Sequence, residues 1–326
     1  MWILPGILAI SLLCFAIVRP LYIYFKDEKG LRKFHAPAFA GISNWWLFYV
    51  QRKLARTRFV HAAHAEYGPV VRIQPNHLSF TSPQAVTDIY SFQSGMMKDE
   101  HYETFSGEDF SGKNERSITN TRDRLVHARK RKFLSSAFAQ RNVVNFDSIV
   151  HAVILQLTSR FDSFCDNGPP AYPGSPKPGF LNLYKWINLF TYDAIGEIAF
   201  GQSFGFLEMG DDLATAETGD GKQYQTHVIT TFQGSSEYDM LASCWATLIH
   251  PIKRWTWFMQ GNKDGAVFMD VVNYKVRERL RNGKPDSFRD FFENFRSDNK
   301  GSIELEYSEI LRESNIFIAA GNVRMV

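Results

Sequence analysis

Trp2–Val18, WILPGILAISLLCFAIV, is apolar around its whole circumference and carries no charge. A helix of that kind has no polar face to give to water, so it must enter a core or a lipid phase. Its length lies near the lower limit for crossing a bilayer, and Leu21–Phe25 adds apolar length beyond Arg19-Pro20. Lys26, Lys29, Arg32 and Lys33 follow, and nothing basic precedes the run, which orients the body toward the cytosol. A cleaved leader, with its basic start and small-x-small exit, fits poorly. The expectation is an uncleaved membrane anchor at 1–25, a hinge at 26–50 containing Pro37 and Gly41, and a folded body at 51–326.

The body has the material for a large core: 44% of the chain is hydrophobic and 28 residues are Phe. The net charge of +3, without a dense Lys/Arg run interleaved with aromatics, argues against nucleic acid as a partner. The three cysteines, Cys14, Cys165 and Cys244, form neither a disulfide framework nor a CxxC pair, which points to a reducing compartment. Cys165 and Cys244 read as buried structural residues.

Along the body, Tyr67-Gly68-Pro69 ends a helix expected over 51–66. PVVRIQPNHLSFTS reads as two short strands about a Pro75-Asn76 turn, and Ser82-Pro83 opens a helix running to about Phe92. Residues 95–120 read as a long loop. Helices are expected near 120–138, 141–165, 180–200, 222–248, 263–281, 286–297 and 305–320, with a proline-rich connector at 168–179. One strand pair followed by many helices makes a mainly α architecture.

Several chemistries lack their residues. Gly219-x-Gly221 has no third glycine and sits in an acidic loop, and no Walker A loop, His-Glu-x-x-His or Gly-x-Ser-x-Gly elbow occurs. His61 and His64 fall on one helix with nothing to supply a third metal ligand. The aromatic pairs Trp45-Trp46 and Trp255/Trp257 suit a membrane interface or a core equally well.

Four stretches carry a family resemblance: LRKFHAPAFAG after the apolar run, EYGPVVRIQPNHLSFTSPQAVTDIY, HARKRKFLSSAF, and ILRESNIFIAAGN. In this order they resemble the microsomal cytochrome P450 family, its fungal members in particular. The resemblance implies a mainly α, P450-like helical fold with a small N-terminal β-hairpin behind a transmembrane helix, residues 51–326 being the N-terminal part of the catalytic domain. It implies haem, whose propionate would be held by His127 and Arg131, one helical turn apart. Arg offers a planar fork of donors matched to a carboxylate. Read without the resemblance, Arg129–Lys132 is a solvated basic face. Ala320 and Gly321 would begin the small-residue groove that admits oxygen, although a glycine there is equally a helix C-cap. Phe105 and Phe110, in the long loop, would border the substrate pocket.

The pattern breaks at Val323-Arg324-Met325-Val326, where the family has an acid and a threonine, and the later cysteine loop that ligates iron is absent. Codons GTN-CGN for Val323-Arg324 would form an intron donor directly after Asn322, the expected origin of the break. Glu293/Arg296 and Glu309/Arg312 have the family's Glu-x-x-Arg spacing but read as ordinary exposed helix pairs. The resemblance implies an endoplasmic-reticulum monooxygenase, single-pass with its body in the cytosol, acting on an apolar small molecule with electrons from an NADPH-dependent reductase. Basic residues beside Arg131 would dock that acidic partner. The alternative is a membrane-tethered, truncated fragment without catalysis.

Overall fold

A computed structural model describes residues 14, 17–91, 93–105, 107–108, 114–138, 140–168, 181–283, 292 and 305–320. Most of Trp2–Val18 therefore lies outside the described residues. Residues 17–26 are helical (α1), and no described helix is long and apolar enough to cross a membrane. The chain divides into two compact units, Met1–Met97 with Met240–Ile249, and Lys98–Asp239 with His250–Val326.

In the first unit, α2 (Trp45–Arg52) and α3 (Arg56–Tyr67) pack on β1 (Val70–Gln74), which pairs antiparallel with β2 (His77–Phe80). The helix expected over 51–66 is thus two helices, and α2 reaches into the expected hinge. The break lies at Lys53–Ala55, where Leu54 adopts φ 51°, a left-handed conformation that interrupts the helix without glycine or proline. Trp46, Leu47, Val50, Val71 and Ile73 form the core of this unit around Cys244. His64 is tied to Gly68 O at 2.9 Å and Ser79 Oγ at 2.8 Å, which joins α3 to β2. Pro83 at N1 opens α4 (Pro83–Tyr90) as expected.

The second unit begins with a 3₁₀ turn at Glu100–Phe105 and a minimal hairpin, β3 (Gly107–Glu108) with β4 (Asn114–Glu115), inside the stretch expected to be loop. Then come α5 (Arg124–Ala137), α6 (Gln140–Asn167), α7 (Leu183–Phe200) and the single-turn α8 (Phe206–Met209). Asn182 caps α7 by accepting from Lys185 N at 3.1 Å, and Gly201, at φ 68°, ends it. The buried carboxylate of Asp193 accepts from Phe206 N and Leu207 N, supplying the first turn of α8 with acceptors.

The helix expected over 222–248 is replaced at its start by a hairpin, β5 (Leu213–Glu217) with β6 (Gln223–His227). Helix α9 (Val228–Ala242) follows, then a 3₁₀ turn at Ser243–Leu248 and α10 (Ile249–Trp255). LATAE and QYQTH alternate with period two about a Gly-containing turn, a strand signature shorter than the helical pattern behind it. Long helix α11 (Gln260–Asn282) backs the hairpin: Asn273 donates to Glu217 O at 2.7 Å, and the buried Glu217 carboxylate takes Arg277 and Arg281. Helix α12 (Tyr307–Ala320) completes the unit, with Leu311, Phe317 and Ile318 in a core shared with Leu189, Tyr192, Phe200 and Val272. The helix expected over 286–297 lies outside the described residues apart from Phe292, which is helical and buried.

Helices α9 and α11 meet through two glycines. A Cβ on Gly261 would lie 2.7 Å from Gly234 O and 2.5 Å from Tyr238 Cβ. Backbone cannot swing aside as a side-chain tip can, so Gly261→Ala should destabilise the chain by about 1–3 kcal/mol. Urea unfolding would show this as a lower midpoint, while Gly283→Ala creates no clash and tests φ strain alone at φ 73°.

Candidate functional site

Helix α5 carries the densest charge in the second unit, and its basic residues separate into two environments. Arg131 and Lys132 face solvent. Lys130 is 3% exposed, its ammonium 3.0 Å from Glu313 Oε1 and 3.4 Å from Glu309 Oε1 on α12. Arg129 also pairs with Glu309. The stretch Arg129–Lys132 is therefore not one solvated face, and Glu309 and Arg312 are buried rather than exposed. A lysine this deep needs carboxylates beside it, because an unpaired buried charge costs several kcal/mol.

Glu313 also reaches the loop before α5. Its Oε2 accepts from Ile118 N at 3.0 Å. The carbonyl of the same residue, with that of Thr119, accepts from Lys98 Nζ at 2.9 and 2.7 Å. Burial pushes the Glu313 carboxyl up, opposed by the Lys130 charge and the Ile118 and Lys130 hydrogen bonds. A cleft of about 390 Å³ opens beside this cluster, lined among others by Glu103, Arg116, Arg122, Arg129, Lys130 and Glu309. Arg116 and Arg122 both reach Glu103, at 3.0 and 3.7 Å, so the cleft is a lattice of paired charges.

His127 lies half-buried on α5, one turn from Arg131. Burial holds its pKa below the ordinary histidine value, and the charges of Lys98 and Arg131 lower it further. The ring is therefore neutral at neutral pH, with one donor and one acceptor nitrogen. Together with the planar fork of Arg131, this helix face can take a carboxylate through hydrogen bonds and charge.

The remaining sequence-derived residues are scattered. Ala320 is exposed at the last described turn of α12. Phe105, 44% exposed, packs its edge on His101 with ring centres 5.8 Å apart. Gly321 and Phe110 lie outside the described residues, as does the Glu293/Arg296 pair. Cys165 is exposed on α6, not buried as expected, because its position on this long helix turns away from the core. Cys244 is buried and donates to Gln51 Oε1 at 2.6 Å, and burial pushes its thiol up to about 12. A thiol so protonated is a poor metal ligand. Sequence reasoning missed Glu313 and misread Glu309 as exposed, because their partners lie 183 and 180 residues away in the chain.

Among the described residues, Asp211, Asp212 and His227 bring possible metal-ligand atoms within 4.8 Å of one another. Asp212 already has work there: one oxygen accepts from Ile229 N at 2.7 Å, capping α9, and the other meets His227 Nδ1 at 3.1 Å.

A family model described as cytochrome P450 matches residues 40–323. A benzoate 4-monooxygenase of Aspergillus niger is 30% identical over 257 residues, 77% of this chain and 47% of that protein. A cytochrome P450 monooxygenase of Stachybotrys chlorohalonatus is 36% identical over 191 residues, covering 58% of this chain and 41% of its own length. Tryprostatin B 6-hydroxylase of Aspergillus fumigatus is 29% identical over 188 residues, 58% of this chain and 31% of that one. The chain spans about half the length, or less, of the curated relatives it matches.

The environment of His127 has a consequence for stability. Its folded pKa lies below the ordinary histidine value of 6.5, so the unfolded chain binds the proton first as pH falls. The stabilisation is full above about pH 6.5 and declines as pH drops toward the folded pKa. His127→Gln should flatten that part of the stability profile, measured by urea unfolding at a series of pH values.

Proposed function

The chain belongs to the cytochrome P450 family, and from that premise we propose that it contributes to a haem-thiolate monooxygenase acting on an apolar small molecule. The observation that carries the proposal is the match to the family over residues 40–323. Relatives named as a benzoate 4-monooxygenase and a tryprostatin B hydroxylase support oxygen insertion into small organic molecules as the reaction class.

The donor set on α5 suits the acidic edge of haem. Arg131 would pair with a propionate through its fork, and the neutral His127 would give it one N–H. When bound and ligated by a cysteine thiolate, haem supplies the oxygen-activating chemistry. Neither Cys165, exposed on α6, nor Cys244, held as a neutral thiol, suits the ligand role. In this reading Ala320 and Gly321 begin the oxygen groove, Phe105 and Phe110 border the substrate, and a NADPH-dependent reductase supplies electrons. Of the basic residues beside Arg131, Lys132 is exposed and available to an acidic partner, while Lys130 is committed to α12.

We place the protein at the endoplasmic-reticulum membrane with its body in the cytosol. The uncharged Trp2–Val18 run and the basic residues after it support this reading. So do Trp255 and Trp257, 77% and 70% exposed, beside exposed Phe258 and Met259.

The test is the reduced, carbon-monoxide-bound spectrum of the purified full-length protein. The thiolate-ligated haem signature should be present, and Arg131→Gln should lower haem retention about tenfold, the loss of roughly one charge-assisted pair. A well-folded protein without that signature overturns the reading. In a separate flotation assay the chain should rise with microsomes; recovery in the soluble fraction would remove the membrane proposal and leave the haem proposal standing.

A further inference from the structure

The buried charges on α12 do more than neutralise each other. Glu313 uses its two oxygens on different elements: Oε1 takes Lys130 of α5 at 3.0 Å, and Oε2 takes the Ile118 amide at 3.0 Å. Ile118 is thus held at both of its backbone polar groups, since its carbonyl, in the following peptide unit, accepts from Lys98 Nζ at 2.9 Å. Lys98 is in turn one of the two cations whose charge reaches His127. A chain of hydrogen bonds runs from α12 through Glu313 and the Ile118 backbone to Lys98, whose charge acts on His127 of α5.

Two features set this chain apart from incidental surface pairing. The side chains of Lys130 and Glu313 are 3% and 2% exposed, so neither charge is screened by water or free to choose another partner. The contacts also converge on one residue, Ile118, and grip the peptide unit on each side of it. From this geometry we propose that Glu313, with Lys130, is a positioning pair: it fixes helix α5 against α12 and, through the Ile118 backbone, sets Lys98 relative to the His127/Arg131 face.

The charged groups around the pair are Glu309 and Arg129 beside Lys130, and Lys98 beside the Ile118 carbonyl; those around His127 are Lys98 and Arg131. The inference deepens the haem reading and rests on it for the identity of the anion. The positioning itself can be read with no haem bound.

The experiment is the titration of His127 in the full chain, followed by NMR with labelled histidine and assigned from the signal lost in His127→Gln. Glu313→Gln keeps an acceptor for the Ile118 amide, so the His127 pKa should stay depressed. Glu313→Leu removes that acceptor and loosens the backbone that holds Lys98, and should raise the His127 pKa part of the way toward 6.5, the share due to burial remaining. The double variant Lys130→Met/Glu313→Leu replaces the buried pair by apolar groups and avoids an orphaned charge. It should give the same shift in a chain that stays folded. A folded Glu313→Leu or double variant with an unmoved His127 overturns the proposal. So does a wild-type Ile118 amide that exchanges with solvent as fast as an open loop, a measurement that needs no variant. Haemin titration by tryptophan quenching separates the two readings. If the His127 shift occurs but neither Glu313→Leu nor Arg131→Gln weakens haemin binding, positioning stands and the haem assignment fails.

Discussion

Lys130 is an ammonium group at 3% exposure, and the arrangement of the second unit follows from what that requires. Taken out of water, the charge is tolerable only with carboxylates at contact distance, and these come from a helix far along the chain, at Glu309 and Glu313. Helix α5 is thereby fixed against α12 in both rotation and height. With Lys130 turned inward, Arg131 must face outward, because adjacent helical residues differ by about 100° in direction. The same constraint makes a basic run that looks uniform in sequence into an inner anchor and an outer, solvent-facing side. A hydrophobic pair would bind the helices as firmly, but it would not choose a rotation so sharply.

The helices were the legible part of the sequence. The apolar repeat of α5, α6, α7, α11 and α12 survives in the chain as a pattern, and their ends carry local signals such as Asn182 before α7 and Gly201 after it. The hairpin β5–β6 was misread because its strands are short and run straight into α9. The break between α2 and α3 had no signal, since Leu54 is neither glycine nor proline. At the site, His127 and Arg131 could be paired because one turn separates them. Lys98, Glu309 and Glu313 could not, because long-range electrostatic partners leave no periodicity to read. Cys165 failed for a related reason: residue type predicts burial only on average, and its position on the helix decided otherwise.

The core beneath the site is aromatic and tightly constrained. Tyr192 meets Phe204 and Phe206 edge-on at 5.9 and 5.8 Å, and Trp186 meets Phe164 at 5.0 Å. Such contacts prefer particular angles, so they hold α7 and the α8 turn in register as well as burying area. Asp193 completes that register from the buried side of α7, binding two backbone amides whose orientation then follows the helix. Polar satisfaction and aromatic geometry thus act on the same few residues.

The glycine crossing of α9 and α11 also bears on how the chain can change over generations. Gly261 lies against the carbonyl of Gly234 and the side-chain root of Tyr238, so a larger residue on one helix requires room to be made on the other. Single steps through sequence space are closed at this point, and because one obstacle is a backbone carbonyl, a second substitution does not open them. The loops on either side of the crossing are free of that condition. Diversification can accumulate in them while the angle between the two helices is inherited unchanged.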